Sequence, residues 1–110
     1  MSSDIRSDVR VIRFQGAILR KDSEKIEAEL VQSTDFDFRN VVLDFTRVHH
    51  ICSSALGVLV AFKRKQQETG GDVRLVLNDE DLLQVFEITM LDKVFKIYPS
   101  LEEATQSFSL

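Results

Sequence analysis

The sequence predicts an α/β sandwich: a mixed, mainly parallel sheet of about four to five strands covered by about four helices. Two patterns carry this reading. Short runs rich in β-branched residues are bounded by turn residues, and amphipathic stretches of helical period lie between them. Strands joined through helices form β-α-β crossovers, which impose a parallel direction. With 110 residues and no linker, repeat or low-complexity stretch, the chain reads as one domain over residues 1–110.

Val9 to Phe14 sets Val9 and Val11 on one side and Ile12 and Phe14 on the other, as expected of a strand buried on both faces. Gly16 then permits a turn, and Ala17 to Leu19 a short second strand. Asp22 or Ser23 caps a helix whose inner stripe is Ile26, Leu30 and Val31. Phe36 and Phe38 read as packing at the edge of the core. Val41 to Phe45, interrupted only by Asp44, is a central strand.

A polar loop leads from that strand to a helix beginning near Ser53 or Ser54. Ala55, Leu59 and Phe62 form one apolar line, with Leu56 and Val60 beside it. Lys63, Arg64 and Lys65 read as its solvated basic end, complementing the helix dipole. Gly70 and Gly71 stop the helix, and Val73, Leu75 and Leu77 alternate in the next strand. Asn78 or Asp79 caps a third helix carrying Leu82, Val85 and Phe86, and Val94 to Tyr98 reads as a last strand. Ser100 and Glu103 form a capping box before a closing helix with Leu101, Ala104, Thr105 and Phe108 on one face.

Composition narrows the function classes. Hydrophobic residues are 44% and charged residues 29%, ordinary for a globular chain. The longest nearly uninterrupted apolar run, Ala55 to Phe62, is far below the ~20 residues that span a bilayer. The start lacks the basic and apolar regions of a signal peptide, so a cytoplasmic location is expected, without membrane insertion. A net charge of −4 makes nucleic acid a poor partner, and a protein partner is expected instead. Cys52, the one cysteine, cannot form an internal disulfide.

Function concentrates where strand gives way to helix, at Cys52, Ser53 and Ser54. Unpaired N–H groups and the positive end of the helix dipole favour a phosphate there. The same hydroxyls also suit plain helix capping. His49 and His50 lie close to Cys52, but adjacent histidines diverge and no second ligand cluster exists, so no metal and no cofactor is expected.

The motif Val-Leu-Asp-Phe (42–45), a short loop, then Ser-Ser-Ala-Leu-Gly (53–57) resembles the signature of STAS domains, and among them bacterial anti-sigma factor antagonists. The resemblance extends to Gly16, to Gly70 and Gly71, and to Leu91-Asp92-Lys93-Val94-Phe95-Lys96-Ile97-Tyr98. It implies a non-enzymatic partner switch. The unphosphorylated antagonist sequesters an anti-sigma factor serine kinase and frees a sigma factor, phosphorylation releases the kinase, and a serine phosphatase resets the cycle. By motif match the acceptor is Ser53, with Ser54 as fallback, and the partner surface comprises Leu19, His50, Cys52, Ser53, Ser54, Ala55 and Leu56.

The chain departs from the family pattern at three places. Cys52 stands where an acid precedes the acceptor, Leu19 replaces an acid after the early glycine, and Ala55 replaces a commoner glycine. A STAS accessory subunit of a transport ATPase is an alternative within the fold. A phosphocysteine carrier acting through Cys52 is the enzyme-class alternative.

Overall fold

The computed structural model describes residues 2–6, 9–33 and 40–109. Its strands β1 (Ser2–Arg6), β2 (Val9–Ile18), β3 (Asn40–Ile51), β4 (Asp72–Val76) and β5 (Ile97–Tyr98) form one sheet in the order β1-β2-β3-β4-β5. β1 is antiparallel to β2, and the other pairings are parallel. The crossovers run through α1 (Ser23–Ser33), α2 (Ser53–Glu68) and α3 (Glu80–Ile88), and α4 (Leu101–Gln106) follows the last strand.

Because the parallel strands lie side by side in chain order, crossovers of one hand place their helices on one face of the sheet. The larger core is on that face. Ile26 and Leu30 of α1, Leu59 and Phe62 of α2, and Leu82 and Phe86 of α3 pack there against Ile12, Phe14, Leu43, Phe45 and Leu75. Phe14 and Phe45 stack with ring centroids 4.9 Å apart. The opposite face, with Val9, Val11, Val42 and Val76, is covered by Ala104, Leu101 and Phe108. Alternate residues of β2 and β3 are thus apolar toward both layers, the pattern that made these strands readable.

Several expectations are corrected. Gly16 does not turn the chain. It adopts φ +78° inside β2, where the register with β3 shifts, so Ala17 continues the strand across a bulge and forms no separate one. The supposed loop after Phe45 is also strand, since β3 continues to Ile51 beside β2. Val31 is 43% exposed and lies off the inner stripe of α1. Of Val94 to Tyr98 only Ile97–Tyr98 is strand; a 3-10 turn at Leu91–Lys93 precedes it, and Val94 is exposed. β1 was not foreseen, because Ser2 to Arg6 has no apolar run to announce it. Phe36 and Phe38 lie outside the described residues.

The helix ends follow local chemistry. Asp79 caps α3 by accepting from the Leu82 N–H at 3.0 Å, and Ser100 caps α4 by accepting from the Glu103 N–H at 3.2 Å. At the end of α2, the Gly71 N–H reaches the Gln66 carbonyl and the Gly70 N–H that of Gln67, with Gly70 at φ +89°. This is a Schellman stop, and it turns the chain directly into β4.

Candidate functional site

β4 pairs with β3 only as far as Asp44, so β2 and β3 run on together as a two-stranded ribbon. That ribbon carries Leu19 and Cys52 to the carboxyl edge of the sheet, where α/β folds gather their sites. The Cys52 N–H donates to the Ile18 carbonyl at 3.0 Å, which fixes the start of α2 against the end of β2. Asp44 is buried on the way, and it accepts from the Thr46 N–H at 2.9 Å with Arg13 4.0 Å away. A carboxylate in an otherwise apolar run is therefore satisfied locally.

The cap position of α2 is Cys52, in extended conformation, and its side chain makes no cap hydrogen bond. This corrects the expectation that Ser53 or Ser54 caps the helix: both lie inside its first turn. The Leu56 N–H is bonded to the Cys52 carbonyl, so the N–H groups of Ser53, Ser54 and Ala55 precede the helical ladder. No acidic residue occupies that first turn. The dipole end is accordingly not offset by a neighbouring carboxylate on the same helix.

The two serines differ in their surroundings. Ser53 is exposed, and its hydroxyl has no hydrogen-bond partner among the described residues. Ser54 Oγ lies 2.8 Å from Ser23 Oγ and 3.3 Å from Cys52 Sγ, and Ser23 Oγ lies 3.7 Å from that sulfur. Ser23 is buried at the first residue of α1, so this cluster ties the starts of α1 and α2 together. Sequence reasoning saw Ser23 only as a helix cap. No periodicity links positions 31 residues apart.

Partial burial raises the Cys52 thiol pKa, but the hydroxyl of Ser54, the Ala55 N–H and the hydroxyl of Ser23 outweigh it, leaving the pKa below the ordinary 9.0. Leu19, 40% exposed, adjoins the site, and its N–H donates to the Asp22 carboxylate at 2.8 Å. His50 is exposed at the end of β3, in register with Ala17. Ala55 and Leu56 are buried in the larger core beneath the serines. Of the predicted residues, Leu19, His50, Ser53 and Ser54 are exposed and Cys52 is half-buried near the carboxyl edge of the sheet, while Ala55 and Leu56 are buried in the first turn of α2.

A groove of about 420 Å³ runs from Ser54 between α1 and α2, over Leu30, Val31, Val58 and Phe62. Lys63 corrects another expectation. It is buried rather than solvated, with Nζ 2.7 Å from Asp72 Oδ1, 3.3 Å from the Val73 carbonyl and 5.3 Å from the centroid of the Phe95 ring.

This fold is that of a known family. The chain belongs to the STAS domain family, whose model matches residues 1–104. A Bordetella bronchiseptica protein provisionally named anti-sigma factor antagonist BtrV is 31% identical over 95 residues, covering 86% of this chain and 82% of that one. The crystal structure of a provisionally named anti-sigma factor antagonist from Thermotoga maritima matches with a TM-score of 0.90 at 23% identity, over 96% of this chain and 92% of that one. The anti-sigma factor antagonist SpoIIAA matches in its unphosphorylated form, at 17% identity over 98% of this chain and 96% of that one. The phosphorylated Bacillus SpoIIAA matches at 19% identity over 97% of each chain, and the TM-score is 0.74 for both forms. No helix among the described residues is long and apolar enough to cross a membrane.

Proposed function

We propose that this protein is a non-enzymatic anti-sigma factor antagonist of a partner-switching pathway. Unphosphorylated, it binds an anti-sigma factor serine kinase through Leu19, His50, Cys52, Ser53 and Ser54, held in place by Ala55 and Leu56. Phosphorylation of Ser53 releases the kinase, and a serine phosphatase restores the binding form. The cycle runs in the cytoplasm.

The observation that carries this reading is the exposed Ser53 at the start of α2, whose hydroxyl has no hydrogen-bond partner among the described residues. Phosphoryl transfer needs an acceptor oxygen that a kinase can approach in line. A phosphate there adds about −1.5 to −2 charges to a contact surface that also contains the apolar Leu19. The unpaired N–H groups of the first turn can hold that charge within the antagonist, so release needs no refolding. The equal match to both forms of SpoIIAA supports a fold that tolerates either state.

Incubation with a candidate anti-sigma kinase and Mg-ATP, followed by intact mass and site mapping, tests the reading. One phosphate on Ser53, absent from Ser53→Ala, is the expected result. Unlabelled wild type defeats the phospho-switch. Label that persists in Ser53→Ala and disappears in Cys52→Ser would establish the phosphocysteine carrier instead.

A further inference from the structure

We infer that Ser23 selects the phosphoacceptor: by holding the Ser54 hydroxyl against α1, it leaves Ser53 as the one serine of the pair that a kinase can use. This rests on the phospho-switch reading above and concerns which oxygen is presented. The two serines are adjacent, both residues are exposed, and both lie in the first turn of α2. Exposure alone does not distinguish them.

Their hydrogen bonding does. Ser54 Oγ sits 2.8 Å from the buried Ser23 Oγ and 3.3 Å from Cys52 Sγ, while the Ser53 hydroxyl has no such partner. For transfer to Ser54, its Oγ must bond to the γ-phosphorus of ATP while the bond from that phosphorus to the bridging oxygen breaks. ADP leaves, and the hydroxyl proton passes to the base of the kinase. That trajectory requires an Oγ turned outward, away from Ser23, so the hydrogen bond between the two hydroxyls must break first. Ser53 meets the same requirement without breaking any side-chain contact.

Ser23 thus acts as a positioning residue through Ser54, and its effect appears in the choice of site. Phosphosite mapping would compare wild type, Ser53→Ala, Ser23→Ala, Ser23→Ala/Ser53→Ala and Ser23→Thr/Ser53→Ala under one kinase with Mg-ATP. The expected result is label on Ser53 alone in wild type and nearly none in Ser53→Ala. In Ser23→Ala/Ser53→Ala, label on Ser54 should rise about fivefold to tenfold, the population change one lost hydrogen bond produces. Ser23→Thr restores the hydroxyl and should return Ser54 labelling to the Ser53→Ala level, which general loosening of the fold would not do. Labelled wild type with Ser54 unlabelled in both double variants overturns the inference and leaves the switch standing. Unlabelled wild type overturns both.

Discussion

Lys63 Nζ and Asp72 Oδ1 meet at 2.7 Å between the middle of α2 and the first residue of β4, with the lysine side chain 8% exposed and the carboxylate 21%. Arg74 Nε completes the carboxylate from 3.3 Å, and Arg74 in turn bonds Ser107 and lies 4.0 Å over the Phe108 ring. One carboxylate therefore links the helix that begins at the candidate site to the layer on the other face of the sheet. Asp72→Asn leaves a buried ammonium without its counter-charge. Removing one partner of a buried pair costs about 3–5 kcal/mol, and the partial exposure here lowers that to about 2–3 kcal/mol. Lys63→Met should cost less, because Asp72 keeps Arg74. Urea denaturation of the two variants checks the order.

The same pair sets an acid limit. Burial raises the Asp72 pKa, but the Lys63 hydrogen bond, the Val73 N–H, the Lys63 charge and Arg74 outweigh it, leaving the pKa below the ordinary 3.8. A carboxylate depressed on folding adds stability that is complete above its unfolded pKa and is lost as pH falls through the lower folded one. Stability should decline with acid in the window below 3.8, and Asp72→Asn should flatten that decline. Melting temperature against pH for both proteins measures it.

Much of the fold was legible because burial on both faces leaves a mark. Val9, Val11, Ile12 and Phe14, and Val41, Val42, Leu43 and Phe45, are apolar toward two cores. What escaped was structure whose cause lies elsewhere in the chain. The Thr46 to His50 stretch is polar except for the buried Val48, and it is strand because β2 runs beside it. Lys63 looked like a surface cation because its counter-ion arrives on the next strand. At the site, the helix start and its serines were readable from the motif. Ser23 was not, because a hydroxyl meeting another 31 residues away leaves no local pattern.

Two backbone positions offer opposite tests. Met90 holds φ +61°, a left-handed conformation that costs a non-glycine residue roughly 1–2 kcal/mol, and its side chain is 55% exposed. Met90→Gly removes that strain but gives the unfolded chain more freedom, for a net gain of about 0.5–1 kcal/mol. Gly16 holds φ +78° with no atom within 4 Å of an added Cβ. Gly16→Ala should therefore cost about 1 kcal/mol from conformation alone, with no steric clash. Thermal melts should move in opposite directions.

Cys52 provides a chemical probe of the site. With its pKa held below 9.0 by Ser54, the Ala55 N–H and Ser23 against the opposing effect of burial, the thiol should alkylate with a pH midpoint below that value. Ser54→Ala and Ser23→Ala each remove a hydrogen bond to the thiolate and should raise the midpoint. Ser53→Asp, which places a negative charge next door, should raise it too. The rate of iodoacetamide modification against pH measures all four proteins. Identical midpoints would mean that the hydroxyl cluster does not act on the sulfur.

Ser53→Asp should separate binding from folding. The substitution puts a carboxylate into the first turn of α2, which has no acidic residue of its own. Interaction with the helix dipole is worth about 0.3–1 kcal/mol in favour of the fold, so the melting temperature should hold or rise slightly. The same charge lies on the exposed residue proposed to face the kinase, where it enters a contact surface with apolar Leu19. Affinity for the kinase should fall on the order of tenfold or more, equivalent to ~1.4 kcal/mol or above. Calorimetric titration beside a thermal melt reads both effects in one preparation. A parallel loss of affinity and stability would show that the charge perturbs the helix, and unchanged affinity would remove Ser53 from the interface.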